Sequence, residues 1–96
     1  MQNDDFEWDD SKAASNLRDH SVSFEMARRA FADVFAVERA DRRQDYGENR
    51  YSITGMVEGR LLFVAYTFRE NRIRIISARH AQPYERRLYH ERNTQE

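Results

Sequence analysis

Lysine occurs once in this chain, at Lys12, against fifteen arginines. The stretch that holds it, FEWDDSKAASNLRDH from Phe6 to His20, spaces Lys12, Asn16 and His20 four residues apart. In a helix a step of four drifts by only about 40°, so the three groups share one polar stripe. An ammonium, an amide and an imidazole on one stripe can hold an anion and move a proton. Lysine contributes a point charge, and histidine titrates near neutral pH. A cation in a first helical turn opposes the partial positive charge of that end, so an anion or the neighbouring acids Asp9 and Asp10 must account for Lys12. His20, just past the helix, has a plainer use in interacting with the exposed carbonyls there.

A second set of cations lies in RIRIISARH, residues 72–80. Arg72 and Arg74 alternate with Ile73 and Ile75, which turns the arginines away from the face that packs on helices. Counting by two places Arg79 with the isoleucines unless a bulge or the strand end intervenes. An arginine in that position must reach solvent, pair with an acid of the first half, or bind a phosphate.

Other chemistries are poorly supported. There is no cysteine, hence no disulfide, zinc ribbon or thiol nucleophile. His20, His80 and His90 fall on different elements without metal-ligand spacing, so no metal site is expected. No P-loop, dinucleotide fingerprint or nucleophile elbow is present. No apolar run is long enough for a bilayer, and the acidic N-terminus is unlike a signal peptide, which predicts a cytoplasmic protein.

Ninety-six residues form one domain, 1–96. The net charge of −1 conceals an asymmetry: residues 1–48 hold twelve acids and seven bases, residues 49–96 five acids and nine bases. A basic face built from the second half can receive a polyanion or an acidic partner.

These groups need elements to hold them. A short opening strand carries Phe6 and Trp8, the latter as a core anchor. Helix one then runs over 11–19, with Asp10 or Ser11 as N-cap. Ser23 caps a second helix in which Phe24, Ala27, Phe31 and Val34 or Phe35 recur, and the pair packs as a hairpin. Residues 38–49, ERADRRQDYGEN, show no burying period and predict a surface loop. Three strands follow, around 51–57, 61–68 and 72–79, separated by Glu58-Gly59 and Glu70-Asn71, as an antiparallel meander. Pro83 opens a last helix with Tyr84 and Leu88 on one side. The class is α+β: an antiparallel sheet of about four strands, two N-terminal helices packed on it, and a C-terminal helix.

The segment FEWDDSKAASNLRDHSVSF resembles the W-D-x-x-K-x-x-x-N-x-x-x-H-x-V-x-F opening of BrnT-type toxins of type II toxin–antitoxin pairs. Arg50 opening a strand, GRLLFVAYTF, RIRIISARHA and ERRLY agree in order over almost the whole chain. In that family a glycine is usual where Ser21 stands, so a left-handed helix stop is not expected here. A second basic residue is common where His80 stands.

The resemblance implies a small RelE-like domain that cleaves RNA without metal or cofactor and arrests growth. It also implies neutralisation by a BrnA-like antitoxin, in a possible heterotetramer, with DNA reached only through the antitoxin. Lys12, Arg50 and Arg79 would hold the phosphate, His20 would transfer the proton, and Arg72, Arg74, Tyr66 and Asn16 would contact RNA. The stripe of Lys12, Asn16 and His20 would line a cleft against the basic sheet. Arg72, Arg74 or the last helix would meet the antitoxin. The competing reading is a catalytically degenerate module that only binds its antitoxin.

Overall fold

The computed structural model describes residues 1–42 and 47–94. A five-stranded sheet organises the chain, in the order β1-β5-β4-β3-β2. The strands are β1 (Phe6–Glu7), β2 (Val37–Asp41), β3 (Arg50–Val57), β4 (Arg60–Arg69) and β5 (Arg72–His80). The β2, β3, β4 and β5 neighbours are antiparallel, whereas β1 runs parallel to β5. The meander is as expected: Glu58 and Gly59 (φ 49° and 78°) and Glu70 and Asn71 (φ 51° and 66°) form two-residue turns with both φ positive. That backbone twist matches the twist of the strands it joins.

Helix α1 (Asp10–His20) starts one residue earlier than the sequence suggests. The Asp9 carboxylate accepts the Lys12 N–H at 3.0 Å, so Asp9 is the cap. It ends at Ser21, which adopts φ 59°, ψ 27° and donates its N–H to the Leu17 carbonyl. The left-handed stop therefore exists without glycine, at the modest strain a serine bears in that region.

The second helix is shorter than its apolar spacing predicts. Helix α2 (Phe24–Arg28), capped by Ser23, gives way to a 3₁₀ turn over Arg29–Ala32, and Val34 and Phe35 are exposed. The turn presses Ala30 onto Gly55 of β3, where a Cβ would lie 2.7 Å from the Ala30 carbonyl oxygen. Asp33 then stops it by donating its N–H to Ala30 and accepting the Phe35 N–H, which redirects the chain into β2. That edge strand falls where a loop was expected over residues 38–49, although residues 43–46 of that stretch lie outside the described region. Charged side chains suit a strand that has one neighbour and one open edge.

Helices α1 and α2 pack on one face, not chiefly on each other as a hairpin. There Trp8, Val22, Phe24, Ile53, Leu62, Val64, Tyr66, Ile75 and Ala78 form the main core. Trp8 and Phe24 meet edge to face at 5.8 Å, so Trp8 is the anchor it was expected to be. Helix α3 (Pro83–Thr94) lies on the opposite face, over a smaller cluster of Val37, Leu61, Ala81 and Tyr89. Its buried residues are Glu85 and Tyr89; Tyr84, expected to pack, is exposed and Leu88 is partly buried.

Candidate functional site

Cross-strand partners point to the same side of a sheet, so the register assigns each residue to a face. Ile75 of β5 opposes Tyr66, Ser77 opposes Ala65, and Ile76 is left over as a bulge. The extra residue inverts the alternation. Ala78 turns into the helix-covered core, and Arg79 turns to the other face beside Phe63 and Thr54. Arg74, the partner of Thr67, and Arg72, the partner of Arg69, lie on that same face. Arg50, at the head of β3 and paired with Asp41, joins them. Helix α3 covers only part of this surface, so Arg50, Arg72, Arg74 and Arg79 form its open remainder.

Each central arginine is held by an acid. Arg79 donates from both terminal nitrogens to the two carboxylate oxygens of Glu85, at 2.8 and 2.9 Å. Its guanidinium also lies 4.3 Å from the centre of the Phe63 ring. Glu85 is 4% exposed, and its Oε1 also accepts the Gln82 N–H at 2.8 Å, closing the first turn of α3 as a glutamate at the third helical position does. A two-point fork and a ring beneath it fix Arg79 in orientation. Arg74 reaches the buried Glu7 of β1 at 2.5 Å. Arg72 donates to the Asn3 carbonyl at 2.7 Å, and Arg50 to Glu48 at 3.3 Å.

Helix α1 runs beside the outer edge of β5. Beyond the two residues of β1, that edge has no strand neighbour among the described residues, and Asn16 takes the place of one. Its Nδ2 donates to the Ala78 and Val22 carbonyls, both at 2.8 Å, and its Oδ1 accepts the Ala78 N–H at 3.0 Å. Asn16 is therefore a buried bracket, its amide engaged by backbone and the residue 6% exposed. Lys12 lies about 40° from Asn16 around the helix, on the side away from the packed Ala13, and is exposed. The Asp9 carboxyl is held below its usual range chiefly by the Lys12 N–H, with Ser11 N–H and the charges of Arg74 and Lys12 assisting. Lys12 and Arg74 thus share one electrostatic neighbourhood. Among the described residues the Lys12 ammonium has no ion-pair partner, unlike Arg50, Arg72, Arg74 and Arg79.

His20 is the last, exposed residue of α1, about one helical turn beyond Asn16. The expected continuous polar stripe is interrupted, since its middle member points into the fold. Tyr66 is also placed elsewhere. It is 4% exposed on the covered face, against Phe31 at 4.9 Å and Tyr51 at 5.7 Å, with the sheet between it and Arg79. Burial, with Glu38 and Tyr51 nearby, pushes its phenol up to about 12.

The sequence reading missed Glu85, Phe63 and Glu7. Glu85 carried a legible signal, an acid two residues after a helix-opening proline, but Phe63 reads as one residue of an apolar run. Glu7 meets Arg74 only because β1 adds in parallel, which no local pattern shows. Among the described residues no three His, Asp or Glu side chains gather in a way that could hold a metal. No described helix is long and apolar enough to cross a membrane.

The motif of α1 and the arginines of β5 thus belong to one edge of the sheet, and a family model spans both. It is that of BrnT, the ribonuclease toxin of a type II toxin–antitoxin system, matched over residues 8–85. The chain belongs to the BrnT family. No individual curated protein matches it. The BrnT match runs from Trp8, through Lys12, His20, Arg50 and Arg79, to Glu85, and so includes the acid that holds Arg79.

Proposed function

We propose that this BrnT-family chain is an endoribonuclease whose working surface is the open face of the sheet along β5, and that it cuts RNA without a metal ion. The observation that carries the reading is Arg79, fixed by Glu85 and Phe63 on a basic face beside the helix that bears Lys12 and His20. In the reaction the RNA 2′-oxygen attacks the adjacent phosphorus, the bond to the 5′-oxygen breaks, and a 2′,3′-cyclic phosphate forms. One group must take the 2′-hydroxyl proton and one must protonate the leaving oxygen. His20 is the proton carrier in this scheme. Lys12, Arg50 and Arg79 neutralise the charge that builds on the phosphate. Arg72 and Arg74 hold the flanking strand, and Asn16 acts as a positioning residue that sets α1 against Arg79.

In a growing cell such an activity arrests growth until a protein partner blocks it. The partner is a BrnA-like antitoxin that covers the same basic surface, Arg72 and Arg74 or α3 included, since acidic side chains gain most there. A heterotetramer is one stoichiometry this allows, and the cell interior is where such a toxin meets its RNA.

One observation favours the alternative, a module that only binds its antitoxin: Arg79 and Arg74 are already neutralised by Glu85 and Glu7. RNA cleavage by the purified protein in EDTA, beside His20→Ala and Arg79→Ala, decides. Cleavage lost by about 10²-fold or more in both variants is expected. No cleavage by well-folded wild type, with ribosomes supplied, would favour the binding module.

A further inference from the structure

On the open face, a cavity of about 160 Å³ lies where the first two turns of α3 lean over β2, β3 and β4. Ser52, Thr54 and Phe63 form its floor, and Tyr84, Glu85 and Leu88 its wall. It borders the smaller core cluster at Leu88. Phe63 separates it from Arg79, whose guanidinium is 4.3 Å from the ring centre.

The floor contains two polar groups that the protein does not use. Ser52 and Thr54 are 8% and 7% exposed, yet neither hydroxyl has a hydrogen-bond partner among the described residues. Among the described residues no sealed side-chain oxygen or nitrogen lacks a partner, so these hydroxyls are open to the cavity they line. Buried polar groups in native proteins are matched by protein, water or ligand. Here the protein offers none, while every described neighbouring carboxylate oxygen of Glu85 already accepts a bond.

We propose that this cavity is a subsite for one nucleobase of the RNA, next to the phosphate bound at Arg79. The proposal rests on the ribonuclease reading. The volume is below the roughly 300 Å³ at which pockets for drug-sized ligands begin, and suits one flat ring system. Splayed RNA bases are recognised by stacking on aromatic rings and by hydrogen bonds to their edges. Hydroxyls that both donate and accept serve those edges. Tyr84, 52% exposed at the mouth, offers the stacking ring, and the exposed Arg39 and Arg42 at the rim suit the sugar–phosphate chain. Base preference then arises at Ser52 and Thr54, apart from the cations that carry the cleavage.

The test titrates ¹⁵N-labelled protein with the four nucleoside 3′-monophosphates and with inorganic phosphate, and maps cleavage of a random RNA pool by wild type and by S52A/T54V. The expected result is that some of the four nucleotides, and not phosphate alone, shift the amides of Ser52, Thr54 and Phe63. The double variant should bind those nucleotides at least about fivefold more weakly, two lost hydrogen bonds being worth that much. It should also cut with a flattened base preference. Equal shifts from all four nucleotides and phosphate, an unchanged base preference, or shifts at Ser52 and Thr54 produced only by a protein partner would each overturn the proposal. If the double variant does not fold, the wild-type titration alone decides. A wild type that binds nucleotides selectively here but cuts no RNA upholds the subsite and refutes the ribonuclease reading, so the two failures are distinguishable.

Discussion

The two faces of the sheet are made by the same strands, and they depend on different properties of their side chains. On the covered face Phe24, Ile53, Leu62, Val64 and Ile75 are at most 2% exposed, and what matters is volume and fit. On the open face Arg79 is held by a fork of hydrogen bonds to Glu85, so what matters is charge and direction. A substitution on the first face should therefore be read in stability. One on the second should be read in function, except where a buried acid is left alone.

The largest stability effect belongs to the covered face. Phe24→Ala should lower unfolding free energy by about 4 kcal/mol, the cost of an aromatic-sized cavity, measured by urea denaturation. Cleavage per folded molecule should stay at the wild-type level; a fall beyond about tenfold would show that the faces are not independent.

Arg79→Ala sits on the boundary of the comparison. It removes the partner of a carboxylate that is 4% exposed, so about 3 kcal/mol of stability should go with the activity. Arg79→Ala/Glu85→Gln should recover much of the stability and none of the cleavage. Recovery of both would mean that Arg79 serves the fold alone.

A smaller effect is expected where α3 is tied down. Asp33 accepts the Met56 N–H and the Tyr89 hydroxyl at 2.7 Å each. Burial works against the Asp33 carboxylate, but the Met56 and Phe35 N–H groups and the Tyr89 hydroxyl outweigh it and hold it below its usual value. The ionised form is thus favoured in the folded protein. Its contribution is complete above the ordinary carboxylate value of 3.8 and fades as pH falls through the lower folded value. Burial, then the Asp33 bond and charge, push the Tyr89 phenol up to about 12, so its contribution is complete below 10 and fades as pH rises toward 12. Asp33→Asn should flatten the acid limb of stability against pH, read by thermal melts; an unchanged limb would remove Asp33 from this role.

Lys12→Ala should change stability least, within about 0.5 kcal/mol, because the side chain is exposed and unpaired among the described residues. Cleavage should nonetheless fall by about 10²-fold. Wild-type cleavage by this variant would remove the single lysine from the phosphate site.

Much of the fold was legible because local signals carried it. The strands of the meander announce themselves through Val, Ile and aromatic runs cut by two-residue turns, and α1 and α3 through the capping pair Asp10 and Ser11, one residue from the true cap, and Pro83. The edge strand β2 was not legible, because ladder hydrogen bonds to β3 hold VERAD without burying a periodic face. Nor was the early end of α2, where a close approach between Ala30 and Gly55 overrides an apolar helical spacing. For the candidate site, residue types were legible and their partners were not. Asn16 reads as one of three polar groups on a stripe, and only the bare edge of β5 makes it a bracket.

The chain's sequence by itself determined the chemistry available: one lysine and one histidine on a short helix, arginines alternating with isoleucines, and no thiol or metal motif. It also determined the α+β order of elements, since periodicity and turn residues act between near neighbours. Only the tertiary structure decided which face Arg79 occupies, because a single bulge residue, Ile76, inverts the alternation of β5. It likewise decided that Glu85 would be Arg79's partner and that Tyr66 would lie buried on the face opposite Arg79. Those outcomes depend on strand register and on which helix lies over which face, and both are set by packing across the whole molecule.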